Sequence, residues 1–181
     1  MKPYDYAHRS GVRPISWEDF ANLAAHLAEQ LEPYHSELVL GIARAGLFPA
    51  TLVACSLRCE LFPIRLTRRV NDQVVYDQPK WKVPVPQEVD GKVVAIVDEI
   101  ADTGQTLAMV AEQTRNLGAR QVITASLVSH SWADPSPQVC PLISDEFIIF
   151  PWDMRVLEKG KWIDHPEVIA GLKAQGRSAP G

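Results

Sequence analysis

The sequence predicts an α/β protein built on a doubly wound parallel sheet, and three observations carry that prediction. Strand-type and helix-type segments alternate along the chain, the mark of helices layered on a sheet. Residues 92–100, KVVAIVDEI, open on a continuous β-branched run, as in a strand buried on both faces of a parallel sheet. The 181 residues are 46% hydrophobic and 22% charged, enough for one domain to hide about 70% of the surface of its unfolded chain without covalent staples.

Each element follows from its local pattern. In residues 16–34, SWEDFANLAAHLAEQLEPY, the residues Phe20, Leu23, Ala24, Leu27 and Leu31 form one stripe, so an amphipathic helix is expected, with Ser16 as N-cap and Asp19 in the first turn. ELVLGIA, 37–43, reads as a short buried strand, followed after a tight turn by an apolar helix over 46–58. LFPIRL, 61–66, is a second strand. Between Thr67 and Gly91 the prolines and charges follow no sustained period, so a long loop with at most a hairpin is expected. Residues 92–100 form the central strand. The segment 106–119 is helical, with Leu107, Val110, Ala111 and Leu117 on one side and Gly118 at its C-cap, and QVITASLVSH, 121–130, is another strand. DEFIIFPW, 145–152, is read as the last strand and HPEVIAGLKAQ, 165–175, as a short final helix.

Charge and cysteine content narrow the partners. Eighteen Lys and Arg against 22 Asp and Glu leave a net charge of −4, so no global positive field recruits nucleic acid or an anionic membrane. Cys55, Cys59 and Cys140 cannot all pair, and their spacing is not that of a structural zinc site; a reduced, cytoplasmic protein is expected. No stretch approaches the ~18 apolar residues of a membrane span, and the start has no apolar signal region, so an unprocessed chain is expected.

In doubly wound sheets ligands sit at the carboxyl ends of the strands, here the turns at 43–46, 98–106, 130–132 and 151–153. The richest is VVAIVDEIADTGQTL, 93–107: a hydrophobic strand runs into Asp98 and Glu99, then into a small-residue turn that opens a helix. Thr103, Gly104 and Thr106 suit a phosphate, because hydroxyls donate, glycine admits the backbone and helix-start amides point at the anion. Three carboxylates would repel a bare phosphate. A ligand that also presents hydroxyls or a metal ion, as a ribose phosphate with Mg²⁺ does, removes the conflict. Taken singly, Asp98 and Glu99 would be a solvated strand end and Asp102 an N-cap.

This stretch resembles the signature of type I phosphoribosyltransferases that binds 5-phosphoribosyl 1-pyrophosphate (PRPP). That signature has two acidic residues, two variable ones and Asp-Thr-Gly-x-Thr, and every position matches in kind, with Glu99 in the second acidic place. The resemblance implies that Asp98 and Glu99 hold the ribose hydroxyls, directly or through Mg²⁺. It places Asp102, Thr103, Gly104, Gln105 and Thr106 around the 5-phosphate. GIARAGLFPA, 41–50, looks like the pyrophosphate loop of the purine branch and implies contacts from Arg44, Ala45 and Gly46, with a strained non-proline cis peptide just before Arg44. Ala45 departs from the usual first glycine.

DEFIIFPWDM, 145–154, is similar to the end of xanthine-guanine and hypoxanthine-guanine enzymes. It implies that Phe147 stacks on the purine, that the backbone near Ile148 meets its edge, and that Asp153 lies near a pyrophosphate-side Mg²⁺ or its water. A plain core role for Phe147 stays open, and Trp152 is read as core packing. Arg65, Arg68, Arg69, Lys80 and Lys82 make the 67–91 region locally basic despite Asp72 and Asp77. The family has a flexible loop there that closes over the reacting centre, which would bring Arg68 and Arg69 to the pyrophosphate. His130 stands where purine enzymes usually carry a Lys that donates to the 6-oxo group of the base; the alternative is that it caps a strand and points away.

The resemblance implies a single domain over 1–181, its core about 37–155 and a small hood from the chain ends, about 1–34 and 145–175. A homo-oligomer, dimer or tetramer, is expected. The implied activity is Mg²⁺-dependent transfer of the phosphoribosyl group from PRPP to a purine, a 6-oxopurine such as hypoxanthine, guanine or xanthine, with Asp102 as general acid/base at the base. A PRPP-binding regulatory protein of the same fold is the alternative. A phosphatase or receiver domain with Asp98 as nucleophile explains the carboxylates but not the DTGQT turn.

Overall fold

The computed structural model describes residues 9–67, 69–70, 73–76 and 79–177. They fall into two compact units, the larger over Leu23–Ser144 and the smaller made of both chain ends, Met1–Asn22 and Asp145–Gly181. The division falls inside helix α1, Trp17–Leu31. Ser16 and Asp19 start this helix by a reciprocal cap: the Asp19 amide donates to Ser16 Oγ at 3.0 Å, and the Ser16 amide to Asp19 Oδ2 at 3.0 Å. Its buried stripe is Phe20, Ala24, Leu27, Ala28 and Leu31.

The larger unit holds a six-stranded sheet. Along the chain come β2 (Leu38–Ile42), α2 (Leu47–Leu57), β3 (Glu60–Thr67), two-residue strands β4 (Arg69–Val70) and β5 (Gln73–Val74), β6 (Lys80–Val83), β7 (Val93–Ala101), α3 (Gln105–Asn116), β8 (Gln121–Ser129) and β9 (Leu142–Ile143). The sheet order is β6-β3-β2-β7-β8-β9, parallel except for β6. From β2 the chain winds outward to β3, and from β7 it winds the other way to β8. Right-handed crossovers in opposite directions put α2 and α3 on opposite faces. Burial agrees: Leu38, Leu40, Ile42, Val94 and Ile96 cluster with Leu107, Val110 and Ala111 of α3. Gly41, one residue out of phase, faces α2, where a Cβ would come within 2.8 Å of Ala50 Cβ and Leu47 Cδ2. Gly118, just beyond α3, has φ +93, as a helix-terminating glycine should.

Two expectations need correction. The 67–91 region is not only loop and hairpin. Its β6 pairs antiparallel with β3, Thr67 opposite Lys80 and Leu66 opposite Trp81, and so supplies partners to an edge that would otherwise present bare backbone groups. Nor does the 145–152 segment close the main sheet. Leu142–Ile143 takes that edge, and β10, shortened to Phe147–Ile149, pairs in parallel with β1, Val12–Pro14.

In the smaller unit that strand pair carries a core of Ile149, Val168 and Leu172 with Val12 and Phe147 against it. Trp152 stacks on Phe150 at 4.8 Å, with Phe20 edge-on to it at 5.3 Å, which is the packing role expected of it. Strands β11 (Arg155–Glu158) and β12 (Lys161–Asp164) form a hairpin, and α4, Pro166–Ala174, starts on His165, whose Nδ1 accepts from the Glu167 amide at 3.1 Å. Among the described residues no helix is long and apolar enough to cross a membrane.

Candidate functional site

The winding direction reverses between β2 and β7, and the crevice beyond the carboxyl ends of such a strand pair is where open α/β sheets bind ligands. Two turns border it, 43–46 after β2 and 102–104 after β7.

The first turn is tight. The Ala43–Arg44 peptide is cis, the geometry that the resemblance implies, and the Ala43 amide donates to the Ile64 carbonyl at 2.7 Å. Arg44 is exposed and Ala45 half-buried; Ala45 keeps a φ open to any L-residue, so the missing glycine causes no backbone conflict there. Gly46 is different. A Cβ on it would lie 2.6 Å from the Ile42 carbonyl oxygen and 2.7 Å from Asp98 Oδ1. The absent side chain lets α2 begin directly against the acidic pair.

Asp98 is buried and Glu99 half-buried at the end of β7. The Glu99 amide donates to Asp98 Oδ1 at 2.9 Å, and the Glu99 carboxylate accepts from the Gly46 amide. Burial raises Asp98 above its ordinary range. Burial and the neighbouring Asp98 charge raise Glu99 well above its own. As hard oxygen donors, these carboxylates fit a divalent ion such as Mg²⁺. Among the described residues no group of three or more His, Cys, Asp and Glu side chains is placed to hold a metal by itself.

The second turn is buttressed from behind. Gly104 has φ +79, and a Cβ there would run into the Pro135 carbonyl oxygen, while the Asp134 amide donates to the Thr103 carbonyl at 3.1 Å. With glycine as N-cap, α3 has no cap from the N-cap residue's own side chain, and the Gln105 amide makes a long bond of 3.5 Å to Thr103 Oγ1; helix-start amides of this kind can turn to an anion. Thr103 and Gln105 are exposed, Thr106 half-buried.

Asp102 points toward the end of β8. Its Oδ1 lies 3.9 Å from His130 Nε2 and 3.4 Å from the donating Trp132 Nε1. His130 is buried, with Nδ1 2.6 Å from the Ser144 carbonyl and its ring stacked on Trp132 at 4.5 Å. Sequence reasoning did not assign Trp132, Ser144 or Pro135. An exposed tryptophan two residues after His130 was the available signal for the first; the other two act through backbone atoms, which carry no residue-type signal.

The larger unit therefore brings together Arg44, Ala45, Gly46, Asp98, Glu99, the 102–106 turn and His130. Phe147, Ile148 and Asp153 belong to the smaller unit. There the Phe147 ring packs on Gly171, Ile148 is buried opposite Arg13 in the strand pair, and the Asp153 amide donates to the Phe150 carbonyl. Arg68 lies outside the described residues, and Arg69 is described only as backbone of β4.

Comparison with known proteins gives a consistent result. A profile of the phosphoribosyl transferase domain matches residues 14–159. The chain is 29% identical over 161 residues to a xanthine-guanine phosphoribosyltransferase of Cereibacter sphaeroides, covering 81% of this chain and 89% of that one. It is 25% identical over 143 residues to the enzyme of the same name from Idiomarina loihiensis, covering 78% and 87%. The crystal structure of a purine phosphoribosyltransferase from Pyrococcus horikoshii superposes with a TM-score of 0.72 at 30% identity, over 82% of this chain and 99% of that one. With the signature turn seated at the reversal of a doubly wound sheet, the chain belongs to the phosphoribosyltransferase family and is a transferase of the type I fold.

Proposed function

We propose that this enzyme moves the 5-phosphoribosyl group from PRPP to a ring nitrogen of a 6-oxopurine with Mg²⁺ and releases pyrophosphate. The observation that carries this reading is the junction of Gly46, Asp98 and Glu99 beside the 102–106 turn. There a turn that opens a helix and a pair of adjacent carboxylates lie on adjoining strand ends. The names of the relatives, xanthine-guanine and purine enzymes, support a purine as acceptor.

On this reading the 5-phosphate sits on the first-turn amides of α3 and the hydroxyls of Thr103 and Thr106. Asp98 and Glu99 hold the ribose hydroxyls and a Mg²⁺ ion, whose bound charge would stabilise the departing pyrophosphate. Arg44 and the amides of the 43–46 turn face the same group. Asp102 takes the proton that the base loses as its nitrogen bonds to C1 of the ribose.

The test is pyrophosphate release from PRPP with hypoxanthine, guanine, xanthine or adenine, with Mg²⁺ and with EDTA. Release with a 6-oxopurine that disappears in EDTA supports the reading. A preference for adenine would overturn the 6-oxopurine assignment, and tight PRPP binding without release from any base would favour a regulatory protein of the same fold.

A further inference from the structure

Trp132 stands just beyond the carboxyl end of β8 and is 46% exposed. A surface tryptophan by itself needs no explanation. This one is held in place. One face of its indole lies on the His130 ring, with centroids 4.5 Å apart and planes 16° from parallel, and His130 is itself buried. The indole N–H donates to Asp102 Oδ1 at 3.4 Å.

The backbone on either side is tied to the signature turn and to itself. The His130 amide donates to the Ala101 carbonyl, the Ala133 amide to the His130 carbonyl and the Asp134 amide to the Thr103 carbonyl, each at 3.1 Å. Turning the indole would therefore break the stack and the bond to Asp102 together. A half-exposed aromatic plane that is already ordered loses little further freedom when a flat ligand settles on it. Indole and purine are both flat fused bicycles of nearly equal area, and base–aromatic stacking works for every base because each has a π-face.

We propose that Trp132 is a base-binding residue: its indole, backed by His130 and held by Asp102, is a stacking surface for the purine ring. This deepens the reading of the site as that of a purine phosphoribosyltransferase and rests on it, because it takes the base to lie beside Asp102. A stack contributes affinity without reading the edge of the base. Trp132 therefore strengthens the binding of 6-oxopurines that differ at their edges by similar factors, and the choice among them is left to groups that meet those edges.

Binding measurements on the whole chain test this without turnover. The ligands are the 6-oxopurine nucleotides IMP and GMP, and ribose 5-phosphate, which presents the same phosphate and sugar without a base. By calorimetry, Trp132→Ala should weaken IMP and GMP by about 5- to 100-fold, the two factors agreeing within about threefold, while ribose 5-phosphate changes by less than about threefold. Trp132→Phe, which keeps an aromatic plane, should recover most of the loss. IMP, and not ribose 5-phosphate, should also quench tryptophan fluorescence in the wild type, and the quench should disappear in Trp132→Phe although the other four tryptophans remain. Equal weakening of all three ligands in Trp132→Ala would make the indole a structural prop of the 102–104 turn. Unchanged nucleotide affinity, or a quench that survives in Trp132→Phe, would take the base off the indole. Each of these overturns the proposal and leaves the transferase reading standing. Failure of the wild type to bind any of the three ligands would end the transferase reading, and the proposal with it.

Discussion

Replacing Gly46 by alanine tests the close approach on which the site depends. Gly46 has φ −60 and ψ −15, an ordinary right-handed conformation, so alanine meets no backbone penalty and should even gain about 0.4–1 kcal/mol by restricting the unfolded chain. Against that stands the methyl group. It would lie 2.6 Å from the Ile42 carbonyl oxygen, 2.7 Å from Asp98 Oδ1 and 3.0 Å from Asp98 Cα. The Ile42 carbonyl and Asp98 Cα are backbone held by pairing with Ile64 and Ser126 in the sheet, and Asp98 Oδ1 is tied to the Glu99 amide. Overpacking of this kind costs about 1–3 kcal/mol, so the net loss should be about 1–2 kcal/mol, a fall in Tm of roughly 2–8 °C for a chain of this size. The catalytic effect should be larger. Relief requires α2 to retreat from β7, which pulls the Gly46 amide off Glu99, and displacements of this scale cost about tenfold to a hundredfold in rate. Scanning calorimetry with PRPP titration measures both parts. Gly91→Ala is the control: φ there is +70 and nothing lies within 4 Å of the added Cβ, so it reports a left-handed backbone penalty alone. A Gly46→Ala protein with unchanged Tm and wild-type kcat/KM would refute the packing argument.

Four further outcomes are expected. Glu99 is held above its ordinary range, so the folded state prefers it protonated; that stability is present in acid and is lost as pH rises through the raised value. Glu99→Gln should therefore raise the Tm of the ligand-free protein increasingly as the pH of the scan rises, while abolishing Mg²⁺-dependent PRPP binding. Changing both Asp98 and Glu99 to Ala should leave residual PRPP affinity in calorimetry equal with and without Mg²⁺. Asp102→Asn should lower kcat by about 10² to 10⁴ with PRPP affinity nearly unchanged, measured by steady-state kinetics and direct binding. Gly171→Ala would drive a methyl into the Phe147 ring, 2.7 Å from Cζ; the same overpacking cost of about 1–3 kcal/mol should appear in urea unfolding.

The elements read correctly from sequence are those whose burial is decided by neighbours in the chain. Val93–Val97 is apolar on both faces, the Ser16–Asp19 cap is local, and the signature turn carries its chemistry in consecutive residues. What was not legible depended on distant partners. Nothing in Phe147–Ile149 says that its backbone will pair with Val12–Pro14 and not with the main sheet. Lys80–Val83, with two lysines and one half-buried tryptophan, reads as polar loop because an edge strand is under little pressure to be apolar. The β11–β12 hairpin did leave a signal: Lys159 and Gly160 both have positive φ, 48 and 79, in the two-residue turn that joins the strands, and a glycine in that second place is its usual mark. At the site, the burial of His130 against the Ser144 carbonyl was not legible because it is a matter of tertiary geometry.

The parallel pairing of β1 with β10 has a consequence for synthesis. Val12 emerges from the ribosome early, but its partner Phe147 follows only after all of β2 to β9 has been made, on the order of ten seconds later at about 5–20 residues per second. The larger unit can bury its sheet while translation continues; the smaller one must wait. During that interval residues 12–14 are a nascent strand without a mate, the kind of segment that pairs with the wrong neighbour on a crowded polysome. Pro14 withholds one backbone donor and Arg13 adds charge, and both blunt such encounters. Slowing elongation after β9 should therefore lengthen the window for misassembly of the smaller unit while sparing the larger.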